Sequence, residues 1–206
     1  MNLFDIVGPI MVGPSSSHTA GAVRIGRIGW RLLNEPVAKA EIYLHGSFLA
    51  TGKGHGTDRA LVAGLLGLTA DDSRIPDSFA LAKERGMEYS FAGAELRDAH
   101  PNSVLMKLTG AKGRKLEMIA ASLGGGRIKV CEIDGLEANF CGDYPTLIVR
   151  NQDQPGHVAE VTSMLSHKSV NIATMQLYRD KRGGSAVLVV ECDKEVPREG
   201  IRWLEK

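Results

Sequence analysis

Residues 13–21 read GPSSSHTAG, so that three serines, a histidine and a threonine follow one another just before an apolar pattern with helical spacing. These side chains donate and accept hydrogen bonds, and histidine also transfers protons near neutral pH. Because the first backbone N–H groups of a helix have no partner within it, such a segment suits a bound carboxylate or phosphate. One Ser or Thr is enough to cap a helix, so the surplus of hydroxyls and the presence of His18 favour a binding or catalytic role over capping alone.

A second polar group lies in the segment TGKGHGTD, residues 51–58. His55 and Asp58 stand there behind three glycines, which allow backbone to approach a ligand closely, and directly before a second helical pattern. We expect Thr57 or Asp58 to be the N-cap of that helix. The alternative interpretation of His55 is a solvent-exposed loop histidine without a chemical role.

A third, weaker candidate is the segment HPNS, residues 100–103, which contains His100 and Asn102 before a predicted strand. A His-Pro turn followed by Asn is also ordinary turn chemistry. The remaining histidines are predicted to be structural or exposed, and they are His45, His157 and His167.

Composition excludes several classes of function. The 206 residues include 25 basic and 24 acidic side chains, a net charge of +1, which does not indicate a nucleic-acid or anionic-membrane partner. No apolar run approaches the ~20 residues of a membrane span, and the N-terminus lacks a basic region before its apolar part, so we expect a cytoplasmic protein. The glycine spacings match neither a P-loop nor a dinucleotide fingerprint.

The cysteine count predicts neither disulfides nor a metal centre within this chain. Cys131, Cys141 and Cys192 are odd in number and lack CxxC spacing, so neither a disulfide framework nor a complete zinc or iron–sulfur ligand set is encoded. Most ligands of any metal must therefore come from elsewhere.

Hydrophobic periodicity predicts the elements that position these groups. Apolar residues at three- and four-residue steps predict a helix from Ser17 to about Leu33, and the alternation in AEIYLHGSFLAT, residues 40–51, predicts a half-buried strand. We expect a glycine-rich loop to follow at residues 51–58, and then a helix. From about Met87, short apolar runs between turn residues indicate antiparallel hairpins, with a turn at residues 124–126.

The pattern changes after CGDYP, so we predict an α+β domain at residues 1–143 and a second module at residues 144–206. The second module reads strand, helix, strand, strand, helix, which is one strand short of a split βαβ repeat. Its loops offer Asp153, Gly156 and Asn171 as a candidate effector site, although ordinary turn chemistry also explains these residues.

Together these segments resemble a known family. FDIVGPIMVGPSSSHTAG, LHGSFLATGKGHGTDRALVAGLLGL, HPN and SLGGGRI, followed by DQPGHVAEV, resemble the β chain of the bacterial two-chain, iron–sulfur-dependent L-serine dehydratases. The resemblance covers essentially the whole chain. Residues 144–206 are similar to an ACT domain, which implies a ferredoxin-like fold, self-association and regulation, although the fourth strand of that fold is not predicted here. Segments similar to residues 1–143 serve as substrate-binding regulatory domains in some phosphoglycerate dehydrogenases.

The resemblance implies a role in converting L-serine to pyruvate and ammonia. The family's [4Fe-4S] cluster is held by an α chain, so this chain is expected to bind no metal itself and to complete a shared active site. His55 would then be the base that removes the Cα proton. Ser16, Ser17, His18 and Thr19 would hold the substrate carboxylate, Asp58 would lie at the same site, and His100 and Asn102 would fix the amino group or the base.

Two other interpretations remain open. Residues 1–143 would suit an allosteric serine sensor that takes no part in chemistry, since the same hydroxyl, imidazole and amide groups recognise serine in either case. The chain would also suit a free-standing amino-acid-binding protein with no α chain as partner. Binding measurements, rather than the sequence, distinguish these interpretations.

Overall fold

The computed structural model describes residues 9–205, and its internal contacts divide the chain into two units between Asp134 and Gly135. The sequence-based boundary at residue 143 lies nine residues later and stays a prediction. No helix in the described part is long and apolar enough to cross a membrane.

The helices of unit 1 begin with the serine-rich segment. A π-helical turn, Ser16–Gly21, continues directly into α1 (Ala22–Leu33), so the helix that the periodicity predicts is confirmed. The other helices of unit 1 are α2 (Gly46–His55), α3 (Thr57–Leu65), a 3₁₀ turn (Ile75–Asp77) and α4 (Ser78–Glu84).

The strands of unit 1 are ordered β2-β1-β3-β4-β5. The hairpin prediction is confirmed for β3, β4 and β5, which pair antiparallel, with Gly124–Gly126 at the turn between the last two. It is wrong for β2, which pairs in parallel with β1 because α4 leads the chain back to the edge of the sheet. The bounds are β1 (Val37–Leu44), β2 (Glu88–Gly93), β3 (Ser103–Gly110), β4 (Lys115–Gly124) and β5 (Arg127–Ile133).

Glycines allow α1 and α3 to approach closely over this sheet. A Cβ built on Gly64 would lie 2.1 Å from the carbonyl oxygen of Val23, and one built on Gly26 would lie 2.3 Å from that of Leu61. A third glycine of α1, Gly29, faces side chains of β3 and β4. Helix α1 therefore packs against α3 on one side and against one face of the sheet on the other.

The region between β1 and α3 differs from the prediction. The predicted strand ends at Leu44, and the predicted loop is the second half of the helix Gly46–His55. Phe48, fully buried, anchors this helix, and Gly56 ends it in a left-handed conformation at φ 68°. Gly56 is also the N-cap of α3 and no side chain caps it, so the expectation of Thr57 or Asp58 at that position is wrong.

Unit 2 has the predicted order of elements. After β6 (Leu136–Phe140), three strands form a sheet in the order β7-β9-β8, with the central strand antiparallel to both neighbours. Its core contains Met164, Leu188 and Val190. The α+β fold is thereby confirmed for both units, and the bounds in unit 2 are β7 (Thr146–Gln152), α5 (His157–His167), β8 (Ile172–Arg179), β9 (Ser185–Cys192) and α6 (Arg198–Leu204).

Candidate active site

The π-helical turn holds the serine-rich segment through its own side chains. Ser15 is the N-cap, and its hydroxyl oxygen accepts a hydrogen bond from the backbone N–H of His18 at 3.1 Å. The Oγ of Ser17 lies 3.1 Å from Nδ1 of His18 and 3.3 Å from Oγ of Ser15. One serine thus caps the turn, and a second one is left to contact the histidine ring.

Helix α2 contacts the opposite side of the same ring. Nε2 of His18 lies 3.1 Å from Oγ of Ser47 and 3.1 Å from Oγ1 of Thr51. These two residues are four positions apart, so they face the same side of the helix. Sequence reasoning missed both, because it assigned SFLAT to a strand, although the Ser-x-x-x-Thr spacing would have indicated a polar pair on a helix.

His55 lies beside His18 at the C-terminal end of α2. The two ring centroids are 5.0 Å apart, and the hydroxyl of Thr19 donates a hydrogen bond to the carbonyl oxygen of His55 at 3.2 Å. The structure therefore brings the two histidine-containing segments together. His55 is exposed, and within residues 9–205 its side chain makes no hydrogen bond, whereas His18 is only 9% exposed.

Burial lowers the pKa of the His18 imidazole from its ordinary value of 6.5. The cationic form would lose water contacts that the protein does not fully replace, and the neighbouring His55 lowers the pKa further, while a hydrogen bond with Ser47 opposes both effects. The net effect favours the neutral form of His18.

The HPNS segment supports the start of α2 from outside. The backbone N–H of Ser47 donates to the carbonyl oxygen of Pro101 at 2.7 Å, and Gly46, at φ 55°, leaves no room for a side chain against Pro101. The carbonyl oxygen of Asn102 accepts from the N–H of Ser122, and its side-chain Oδ1 is buried without a partner in the described part of the chain. His100 is exposed, and its Nδ1 accepts from the N–H of Asn102 at 3.1 Å.

The other predicted site residues differ in how they are placed. Thr19 is only 2% exposed and its hydroxyl is occupied by His55, so it links two segments rather than lining an opening. Ser16 is half-buried, and its side chain makes no hydrogen bond within the described range. Asp58 is half-buried in the first turn of α3 and accepts from the N–H of Arg59 at 2.8 Å.

The three candidate effector residues of unit 2 do not form one site within a single chain. Asp153 and Gly156 follow β7, whereas Asn171 precedes β8 at the opposite end of the sheet. The reason is the crossover through α5, which carries the chain from one end of the sheet to the other. Asp153 accepts hydrogen bonds from Arg179 at 2.6 Å and from the N–H of Gly183 at 3.1 Å, and Asn171 donates to Asp193 at 2.7 Å.

Comparison with known proteins identifies similar chains. The family model for the serine dehydratase beta chain matches residues 2–87. The L-serine dehydratase beta chain of Peptoniphilus asaccharolyticus is 43% identical over 93% of this chain and 86% of its own length. The probable L-serine dehydratase beta chain of Bacillus subtilis is 37% identical over 100% of this chain and 93% of its own length. The D-3-phosphoglycerate dehydrogenase of Bacillus subtilis is 27% identical over 89% of this chain, which corresponds to 35% of that enzyme.

Proposed function

This chain belongs to the family of L-serine dehydratase β chains and is a lyase subunit, and we propose from that membership that it deaminates L-serine to pyruvate and ammonia together with an α chain that carries a [4Fe-4S] cluster. The observation that carries the proposal is the contact between His18 and His55, whose ring centroids lie 5.0 Å apart. Two segments that are separated in sequence thereby present imidazole and hydroxyl groups together.

The cluster is assigned to the α chain because the possible metal-binding side chains in the described part of this chain do not form a site for it. Cys131 belongs to unit 1, whereas Cys141 and Cys192 belong to unit 2, and among residues 9–205 no three His, Cys, Asp or Glu side chains are grouped so that they could hold a metal ion. Bound in the partner, a cluster with an open iron would supply a Lewis acid for the serine hydroxyl. This chain would supply polar groups and a base.

We assign the base role to His55 rather than to His18. Both ring nitrogens of His18 already lie within hydrogen-bond distance of protein hydroxyls, so neither is available to a Cα proton. The ring of His55 is exposed and has no hydrogen bond to the described residues. An imidazole accepts and returns protons near neutral pH, which is what removal of a Cα proton requires.

The remaining groups would bind the substrate. Ser16 and Ser17 are half-buried on the turn beside the histidines, so their hydroxyls are accessible to a small zwitterion. The buried Oδ1 of Asn102 is a hydrogen-bond acceptor without a partner in the described range, which suits an ammonium group. The exposed His100 and the half-buried Asp58 would lie at the edge of the substrate site. Thr19 would hold the backbone of His55 in place.

Co-expression with an α chain tests this function. We expect the two chains to purify as a stable, coloured complex that releases pyruvate and ammonia from L-serine. If the chains fail to associate, the chain is a free-standing binding protein. If they associate but the complex leaves serine unchanged when its cluster is intact, the proposed reaction is wrong.

A regulatory role is the second candidate function, and the similarity to a D-3-phosphoglycerate dehydrogenase favours it. In this case unit 1 would bind serine without taking part in chemistry. Calorimetry distinguishes the two proposals: serine binding to the isolated chain supports a sensor, and binding only in the αβ complex supports a shared active site.

We further propose that the ACT-like unit 2 pairs side by side with a second copy. In its three-stranded sheet, β7 has β9 on one side, and its other edge can accept another strand. An effector would then contact Asp153 and Gly156 of one copy, without Asn171 of the same copy. Sedimentation of the full chain is expected to give a dimer, and a monomer at high concentration would contradict the pairing.

A further inference from the structure

The tautomer of His18 depends on where the hydroxyl proton of Thr51 lies. The Thr51 hydroxyl lies 2.9 Å from the carbonyl oxygen of Ser47, one turn earlier in α2, 3.1 Å from Nε2 of His18 and 3.3 Å from the Ser47 hydroxyl. The carbonyl oxygen is the shortest of these contacts and can only accept. With the single Thr51 proton donated to that carbonyl, the Thr51 oxygen has only lone pairs to offer Nε2 of His18.

In this arrangement, a hydrogen bond between Thr51 and His18 requires the proton to be on Nε2. If Nε2 carried no proton, two lone pairs would face each other at 3.1 Å. Ser47 accommodates either arrangement, because its hydroxyl both donates and accepts. Thr51 is thus the residue that distinguishes the two tautomers.

The assignment extends to the serine-rich turn. A neutral imidazole with its proton on Nε2 has a lone pair on Nδ1, so the Ser17 hydroxyl, 3.1 Å away, must donate to it. The Ser17 proton is then used inside the protein. What Ser17 presents to a ligand is an oxygen that accepts hydrogen bonds.

We propose that Thr51 is a positioning residue that holds His18 as the neutral Nε2–H tautomer, which makes Ser17 a hydrogen-bond acceptor for the ammonium group of the substrate. This differs from the expectation that Ser17 holds the carboxylate, because a carboxylate needs a donor. The substrate part of the inference rests on the proposed function, whereas the tautomer does not. His18 is buried, and burial favours a neutral imidazole, which is consistent with both.

Nitrogen NMR of the full ¹⁵N-labelled chain at pH 7.5 tests the tautomer without the α chain. Long-range ¹⁵N–¹H correlations are expected to show the proton of His18 on Nε2. Thr51→Val removes the acceptor and leaves Ser47 able to donate to Nε2, so the Nδ1–H form should become comparably populated. Ser47→Ala leaves Thr51 in place and should keep the Nε2–H form.

Two control variants distinguish loss of the Thr51 hydroxyl from a general effect of replacing a helical threonine. Thr51→Ser restores the hydroxyl and should restore the Nε2–H form. Thr162→Val removes a matched helical threonine, whose hydroxyl donates to the carbonyl oxygen of Val158 four residues earlier, and should leave His18 unchanged. A wild-type His18 with its proton on Nδ1, or equal tautomer populations in wild type and Thr51→Val, would overturn the inference.

Kinetics of the αβ complex then test the link to the substrate. Thr51→Val should lower kcat/KM for L-serine at least about tenfold, as expected when an oriented contact to the substrate is lost, and Thr51→Ser should recover it. Unchanged kcat/KM in Thr51→Val would overturn the role of Ser17 as ammonium acceptor. If wild-type His18 has the expected tautomer but the wild-type complex does not deaminate serine, the proposed function fails and the tautomer assignment stands.

Discussion

The same substitution, Gly→Ala, is expected to have opposite effects at two helical positions of unit 1. Gly64 of α3 packs against the backbone of α1, where an added Cβ would lie 2.1 Å from the carbonyl oxygen of Val23 and 2.7 Å from the nitrogen of Arg27. Gly54 of α2 is exposed, and an added Cβ would meet nothing within 4 Å.

The magnitude follows from what each methyl group meets. The contacts of Gly64 are backbone atoms, so no rotamer change relieves them, and α1 and α3 must separate by about 1 Å or bend. Overpacking of this kind lowers the free energy of unfolding by about 3 kcal/mol, the upper end of its usual range. The better helix propensity of alanine raises it by about 1 kcal/mol. We therefore expect Gly64→Ala to lower the free energy of unfolding by about 2 kcal/mol, and Gly54→Ala to raise it by about 0.5–1 kcal/mol.

Urea unfolding followed by tryptophan fluorescence measures both changes. The chain has two tryptophans, and Trp203→Phe leaves Trp30 of α1 as the probe of unit 1 alone. In that background the midpoint should shift down for Gly64→Ala and up for Gly54→Ala. If Gly64→Ala were as stable as its parent, the close approach of α1 and α3 would be wrong.

Three further predictions concern the site and unit 2. His55→Ala should lower kcat of the αβ complex by about 10²- to 10⁴-fold and change the unfolding free energy by less than about 0.5 kcal/mol, because the ring is exposed; near-normal turnover would exclude it as the base. Because burial lowers the pKa of His18, the unfolded chain binds a proton more readily than the folded chain. The free energy of unfolding should therefore be greatest above pH 6.5 and decrease as the pH falls toward the lowered pKa. Thermal unfolding at several pH values should show that His18→Gln removes this contribution to the pH dependence. Asp153→Asn should speed amide exchange at Gly183, whose N–H donates to that carboxylate, and unchanged exchange would show that the contact does not hold the turn.

Local patterns predicted those elements whose apolar residues repeat regularly. The three- and four-residue spacing before Leu33 identified the helix that begins with the serine-rich turn. One face of that helix is buried, so its period is visible in the residue types themselves. The strands of unit 2 were identified by apolar runs that turn residues separate, since β9 is buried at every position after its first and shows no alternation. The motifs GPSSSHTAG and TGKGHGTD were recognisable because the residues of each motif are contiguous in the sequence.

The region around α2 was mispredicted because its helical structure depends on contacts with residues that are distant in the sequence. Glycines and small residues in GSFLATGKGH favour no regular element, and the helix depends on burial of Phe48 and on the contact of Gly46 with Pro101. Propensity is a weak guide when tertiary contacts of this kind decide the outcome.

The amino-acid sequence alone determined which groups are available for chemistry and which family the chain resembles. Only the tertiary structure decided which of them meet: His18 contacts Ser47 and Thr51 across 29 and 33 positions of sequence. Such contacts form where two elements that are distant in the sequence pack against each other. This packing leaves no periodic pattern in the sequence from which it could be predicted. The same packing buries His18 among hydroxyls and leaves His55 exposed, and the proposed assignment of the base role to His55 rests on this difference.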